Sequence, residues 1–119
     1  MQERRKHPRI IVDLPATVRF SHHSDMSARM IELSEAGARF LCALAPKINS
    51  EVELCFSLPS HRIGHEFRLM AKVRHLFDVI ATTGKGADYR HVAGVEFQDI
   101  NPQDRAILEE FCAAAYTLK

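Results

Sequence analysis

His65-Glu66-Phe67-Arg68-Leu69-Met70-Ala71-Lys72-Val73-Arg74-His75-Leu76-Phe77-Asp78 is the stretch on which the fold turns. Read two residues at a time, it puts Phe67, Leu69, Ala71, Val73, His75 and Phe77 on one side and Arg68, Lys72 and Arg74 on the other. Successive side chains of a strand point to opposite faces, so this pattern predicts a strand with one buried face. The alternation recurs over Glu51–Leu58, where Val52, Leu54, Phe56 and Leu58 oppose Glu51, Glu53, Cys55 and Ser57. Shorter versions occur at Ala16-Val18-Phe20, Ala38-Phe40-Cys42-Leu44 and Ala93-Val95-Phe97. With a strand from Met30 to Ser34, in which Ile31 and Leu33 would face the core, this makes about six strands. Turn-forming stretches such as Ala45-Pro46-Lys47 and Thr83-Gly84-Lys85-Gly86 separate them. Many short antiparallel strands in a small domain close into a barrel or sandwich, which protects their edges.

The period changes at the C-terminal end. Asn101 suits an N-cap, Pro102 the first helical position, and Asp104 puts negative charge in the first turn. Ile107, Leu108, Phe111, Cys112 and Ala115 then recur at helical spacing, so one amphipathic helix should lie on the barrel or across its mouth.

Length and composition agree with this outline. The 119 residues suit a single domain over 1–119, and 46% hydrophobic with 26% charged residues suits a packed core without metal or disulfide staples. Cys42, Cys55 and Cys112 are odd in number and far apart, which points to a reducing compartment and to cysteines used as small core residues. The first residues are basic with no apolar run behind them, and no stretch reaches the roughly 20 apolar residues of a membrane span. A cytoplasmic protein is expected, with no membrane span. His22, His23, His61, His65 and His75 share no ligand spacing, so no metal is expected. No nucleophile elbow, phosphate loop or dinucleotide fingerprint is present, and no base is placed to activate Ser34, so no enzyme and no cofactor are expected.

Two short elements could carry function. In Arg4-Arg5-Lys6-His7-Pro8-Arg9, the proline keeps the segment extended, and Arg5 and Arg9 present two planar donor forks suited to phosphate or to the acceptor edge of guanine. The same residues also read as a solvated, flexible basic arm over 1–9, the commoner use of such a segment. In Glu32-Leu33-Ser34-Glu35-Ala36-Gly37, a carboxylate and a hydroxyl fall on one face of a strand end, and Gly37 permits a turn or a close approach of ligand to backbone. A plain strand, turn and strand reads the same way.

In order, these elements resemble the PilZ domain family, which combines an RxxxR motif before its first strand with a later (D/N)xSxxG motif. Arg5 and Arg9 match the first motif; Ser34 and Gly37 match the second. Tyr89-Arg90-His91-Val92-Ala93-Gly94-Val95-Glu96-Phe97 resembles the family's penultimate strand, and the helix falls where the family has one. The family has Asp or Asn where this chain has Glu32. The resemblance implies a mainly β fold: a six-stranded antiparallel β-barrel, the PilZ-like split barrel, with a C-terminal α-helix. It implies that cyclic di-GMP, often as a stacked pair, lies on the outside of that barrel. Arg5 and Arg9 would hold phosphate and guanine edges, Glu32 and Ser34 would contact a guanine, and Gly37 would leave room for the ligand. Arg4 and Gly94 complete the implied ligand-binding set. The implied role is a receptor that relays the nucleotide to a partner protein by ordering its arginine arm. A degenerate PilZ domain working only through protein contacts is the alternative. A small RNA-binding barrel ranks third, because it wants aromatic residues on an exposed strand face, and nucleic acid is not an expected partner.

Overall fold

The computed structural model describes residues 9–58, 65–82 and 88–117. Arg4 and Arg5, and the turn at Thr83-Gly84-Lys85-Gly86, lie outside the described residues. The chain forms β1 (Ile10–Arg19), β2 (Met26–Leu33), β3 (Gly37–Cys42), β4 (Glu51–Leu58), β5 (His65–Thr82), β6 (Asp88–Phe97) and α1 (Pro102–Thr117). All strand pairs are antiparallel and close into a barrel in the order β1-β2-β3-β6-β5-β4.

The alternating residues fill the barrel. Val52, Leu54, Phe56 and Leu58 of β4 are buried, as are Phe67, Leu69, Ala71 and Val73 of β5. Ala93, Val95 and Phe97 of β6, Ala16 and Val18 of β1, and Ala38, Phe40 and Cys42 of β3 join the same cluster. Phe56 and Phe67 face each other across β4 and β5 with rings stacked at 4.9 Å, a pairing worth about 0.5–1.5 kcal/mol beyond its buried area. Leu44 falls beyond the end of β3 and is exposed rather than buried.

Two of the register irregularities in the barrel redirect side chains near the site. The β5–β6 pairing runs Val73 opposite Val95 and then His75 opposite Gly94, so Arg74 is an extra residue on β5. A bulge sets two residues against one and inverts the inside–outside parity beyond it. His75 and Phe77, expected on the core face, therefore stand outside, and Phe77 is 50% exposed. A second irregularity lies in β2, where Met30 pairs with Phe40 and Glu32 with Arg39, leaving Ile31 between them. Met30 and Leu33 are the core residues there; Ile31, expected inside, is only half-buried.

The helix forms as its capping signals require. Asn101 Oδ1 accepts the Asp104 backbone N–H at 2.8 Å, and the Asn101 amide donates to Asp104 Oδ2 at 3.0 Å, satisfying an end donor that the helix itself cannot. Asp104 Oδ1 also lies 2.8 Å from Nε2 of His65, which ties the helix start to the start of β5. Leu108 and Cys112 are buried, and the Cys112 thiol lies 3.8 Å from the Leu33 carbonyl. The helix thus covers the end of the barrel where β2 stops. The side chain of Ala115 is outside the described residues.

Candidate functional site

The site is built on the turn that joins β2 to β3. Ser34 is buried, and its Oγ accepts the backbone N–H groups of Ala36 and Gly37, both at 3.1 Å. Its hydroxyl is 3.4 Å from the Gly37 carbonyl, which also receives the Ser34 backbone N–H at 2.9 Å. A short hydroxyl side chain that bonds the backbone two and three residues ahead is a turn-forming device. Ser34 therefore lines the site while its hydroxyl is engaged inside the turn. The Ala36 carbonyl accepts the Phe97 N–H at 2.8 Å, tying the turn to the end of β6.

Gly37 is fixed by the same seam. A Cβ placed on it would lie 2.2 Å from the Val95 carbonyl oxygen, closer than any real contact. The close approach at this glycine is that of the β6 backbone, and its φ is not in the left-handed region.

On the outer wall, register lines up one row across four strands: Glu32 of β2 opposite Arg39 of β3, Arg39 opposite Gly94 of β6, and Gly94 opposite His75 of β5. Arg9, just ahead of β1, places Nη1 3.5 Å from Glu32 Oε1, and Arg39 Nη1 lies 3.9 Å from Glu32 Oε2. Arg74, the bulge residue, donates from Nε and Nη2 to Glu96 Oε1 at 3.1 and 2.8 Å. That hydrogen bond, aided by the arginine's charge, holds the Glu96 carboxyl below the usual carboxylate range. Arg39 also sits 6.0 Å from the ring centroid of Phe77.

One open cleft of about 200 Å³ gathers these groups. Arg9, Glu32, Ser34, Gly37 and Gly94, five of the seven residues singled out in the sequence, all line it. Arg39, Arg74, His75 and Glu96 line it too, and the sequence pattern singled out none of them as ligand-binding. Arg39 carried one usable signal: it alternates with buried Ala38 and Phe40, so it had to face outward. Its neighbours across the wall depend on register, which no local pattern records. The cleft has three guanidinium groups against two carboxylates, so it suits an anion. It is smaller than the roughly 300–1,000 Å³ of sites that enclose a small molecule, so a larger ligand would lie across it rather than within it.

Other groups are placed for structure. Cys42, Cys55 and Cys112 are free thiols; burial pushes Cys42 and Cys112 up to about 11, the second helped by the charge of Glu35. Among the described residues, no three His, Cys, Asp or Glu side chains gather as a metal site. No described helix is long and apolar enough to cross a membrane.

The family and the fold are those of known proteins. The family model of the PilZ domain matches residues 3–114. No curated protein matches the sequence. Among solved structures, the chain is similar to the inhibitor of motility of Bacillus subtilis (MotI/DgrA), with a TM-score of 0.82 at 18% identity over 99% of this chain and 54% of that one. It therefore spans about half the length of that protein. It is similar to the PilZ domain of YcgR from Escherichia coli, a structure with c-di-GMP, with a TM-score of 0.72 at 15% identity over 97% of this chain and 93% of that one. It is also similar to the K. pneumonia MrkH–c-di-GMP complex, with a TM-score of 0.66 at 14% identity over 92% of this chain and 51% of that one.

Proposed function

The chain belongs to the PilZ domain family, and from that premise we propose that it is a cyclic di-GMP receptor rather than an enzyme. The observation that carries this reading is the convergence of Arg9, Glu32 and Gly94, far apart in sequence, on one cationic cleft of the barrel's outer wall. Cyclic di-GMP has two phosphates and two guanine edges rich in acceptors. Planar guanidinium forks match both kinds of acceptor in pairs of hydrogen bonds. In this reading Arg9 and Arg39 take phosphate or guanine acceptors once freed from Glu32, and Glu32 accepts from a guanine N–H. Arg4 and Arg5 close on the ligand from the arm, and the closed arm is the surface a partner protein reads. A cytoplasmic site of action goes with this role.

Calorimetric titration with cyclic di-GMP tests the receptor, and amide exchange tests the arm. Saturable binding that weakens as salt rises is expected, together with slower exchange over Arg5 to Arg9 at saturation. One observation favours a second reading. The ion pairs of Glu32 with Arg9 and Arg39 occupy donors the nucleotide needs. Absence of binding at millimolar ligand selects that reading, a degenerate domain that works through protein contacts alone.

A further inference from the structure

Past its bulge, β5 outruns the strand that bonds its far side. The ladder with β4 ends where Lys72 faces Glu51. On that same side Val73 donates to the Ser50 carbonyl and accepts the Asn49 N–H. From His75 onward the pairing continues with β6 alone. Successive residues of an antiparallel strand point their N–H and C=O groups to opposite sides, and a bulge inverts that parity. Val73 points to the β4 side, so beyond the extra residue Arg74 it is Leu76 and Asp78 that point there. Among the described residues, nothing bonds their backbone on that side.

An edge of this kind attracts another strand, and proteins usually blunt it with proline, lysine or a short length. Here the edge reads His75-Leu76-Phe77-Asp78-Val79, without proline or lysine and with Phe77 half exposed. We infer that it pairs antiparallel with the same edge of a second copy, about a two-fold axis at Phe77. Charge and hydrogen bonding select that register. An axis at Asp78 sets two carboxylates in direct opposition, which is destabilising, and the Asp78 side chain is 91% exposed at the edge. An axis at Leu76 leaves Asp78 facing Arg74, whose N–H is turned toward β6. An axis at Phe77 sets Leu76 opposite Asp78 of the other copy, so each out-facing N–H and C=O of both residues finds a partner. Phe77 then meets its own copy in the closer kind of cross-strand pair, and His75 faces Val79. The segment is thus its own complement, as an isologous two-fold contact requires, and that makes a second copy the occupant. His75 lines the cleft, so Val79 of the second copy stands at the rim of the first copy's site. Both clefts open on the same side of the joined sheet. The contact is short, so the dimer is weak.

Sedimentation velocity on the full chain without nucleotide, from about 10 μM to about 1 mM, tests the pairing independently of the receptor reading. The parent should pass from one chain to two within that range. Phe77→Lys replaces a ring pair by two opposed charges and should weaken association at least roughly tenfold, with unchanged Tm because the side chain is outside the core. Mild oxidation reads the register. Phe77→Cys should form an interchain disulfide, because directly opposed Cβ atoms are close enough to bridge, whereas Asp78→Cys should not. A parent that remains a single chain at about 1 mM overturns the proposal and leaves the edge to a strand of another protein. A Phe77→Lys variant that associates as the parent does overturns it too, as does equal cross-linking at Phe77→Cys and Asp78→Cys.

Discussion

Arg9 and Glu32, 23 positions apart in the numbering, meet at 3.5 Å across the start of β1 and the end of β2. The carboxylate that stands where the family has Asp or Asn thus engages an arginine of the RxxxR motif. Both groups are about one-third exposed, so the pair is weak in itself, on the order of 0–1 kcal/mol. Its effect is competition, because a nucleotide must displace it to reach the arginine. Shortening the side chain draws the carboxylate back from both Arg9 and Arg39. Glu32→Asp should therefore tighten cyclic di-GMP binding by roughly three- to tenfold, about 0.7–1.4 kcal/mol. Titration of both proteins at one salt concentration checks this; an unchanged or weaker Asp variant would show that the longer carboxylate already suits the ligand.

Arginine forks should dominate affinity without supporting the fold. Arg9 lies outside the buried cluster, and Arg5 precedes the first strand. Hydrogen bonds to charged groups contribute about 1.5–3 kcal/mol, so Arg5→Ala and Arg9→Ala should each weaken binding by at least roughly tenfold. Thermal melts of both variants should match the parent. Binding at parental affinity by either would remove that arginine from the site.

Ser34 separates scaffold from ligand contact. Removing its hydroxyl leaves the N–H groups of Ala36 and Gly37 without their acceptor in a half-buried turn. Ser34→Ala should lower stability by about 1–2 kcal/mol in urea unfolding. Lost ligand binding with unchanged stability would put the hydroxyl on the nucleotide instead.

Gly37→Ala should be more damaging still. The added methyl would collide with the Val95 carbonyl oxygen, which is backbone and cannot swing aside. Overpacking of this kind costs about 1–3 kcal/mol or more, seen as a drop in Tm with or without ligand. Unaltered Tm would mean that β3 and β6 can part locally without penalty.

Alkaline pH should destabilise the fold through its buried thiols. Cys42 and Cys112 are pushed up to about 11, whereas an unfolded thiol titrates near 8.5. Between those values the unfolded chain has given up protons that the folded chain keeps, so stability falls as pH rises. A Cys42→Ala, Cys112→Ala double variant should lose stability less steeply between about pH 8 and pH 10.5. Equal slopes in urea unfolding would assign the alkaline loss to other groups.

How much was legible in the sequence follows from what a local pattern can encode. The period-two runs over Glu51–Leu58 and from Phe67 to Val73 locate buried faces because every inward residue is apolar and most of the residues between them are polar or charged, Met70 being an exposed exception. The cap at Asn101 is legible because its partners lie three residues away. Parity past Arg74 was not, since a bulge adds a residue without changing composition, and His75-Leu76-Phe77 continues the pattern plausibly on either face. The same blindness hid Ile31 at the irregularity in β2. The motif residues pointed to one place, and Arg9, Glu32, Ser34, Gly37 and Gly94 do share a cleft. Arg39 and Arg74 escaped because their membership depends on which strands are neighbours, a property of the closed ring rather than of any segment.

That ring also limits how a bound ligand could act. The row from Glu32 through Arg39 and Gly94 to His75 crosses β2, β3, β6 and β5, and each of these strands is bonded on both sides. Splaying any of them to follow a ligand would break a hydrogen-bonded ladder on at least one side. The wall is therefore an anvil, not a hinge. Occupancy is written onto its face as shape and charge, and whatever reads the message has to touch the rim of that face.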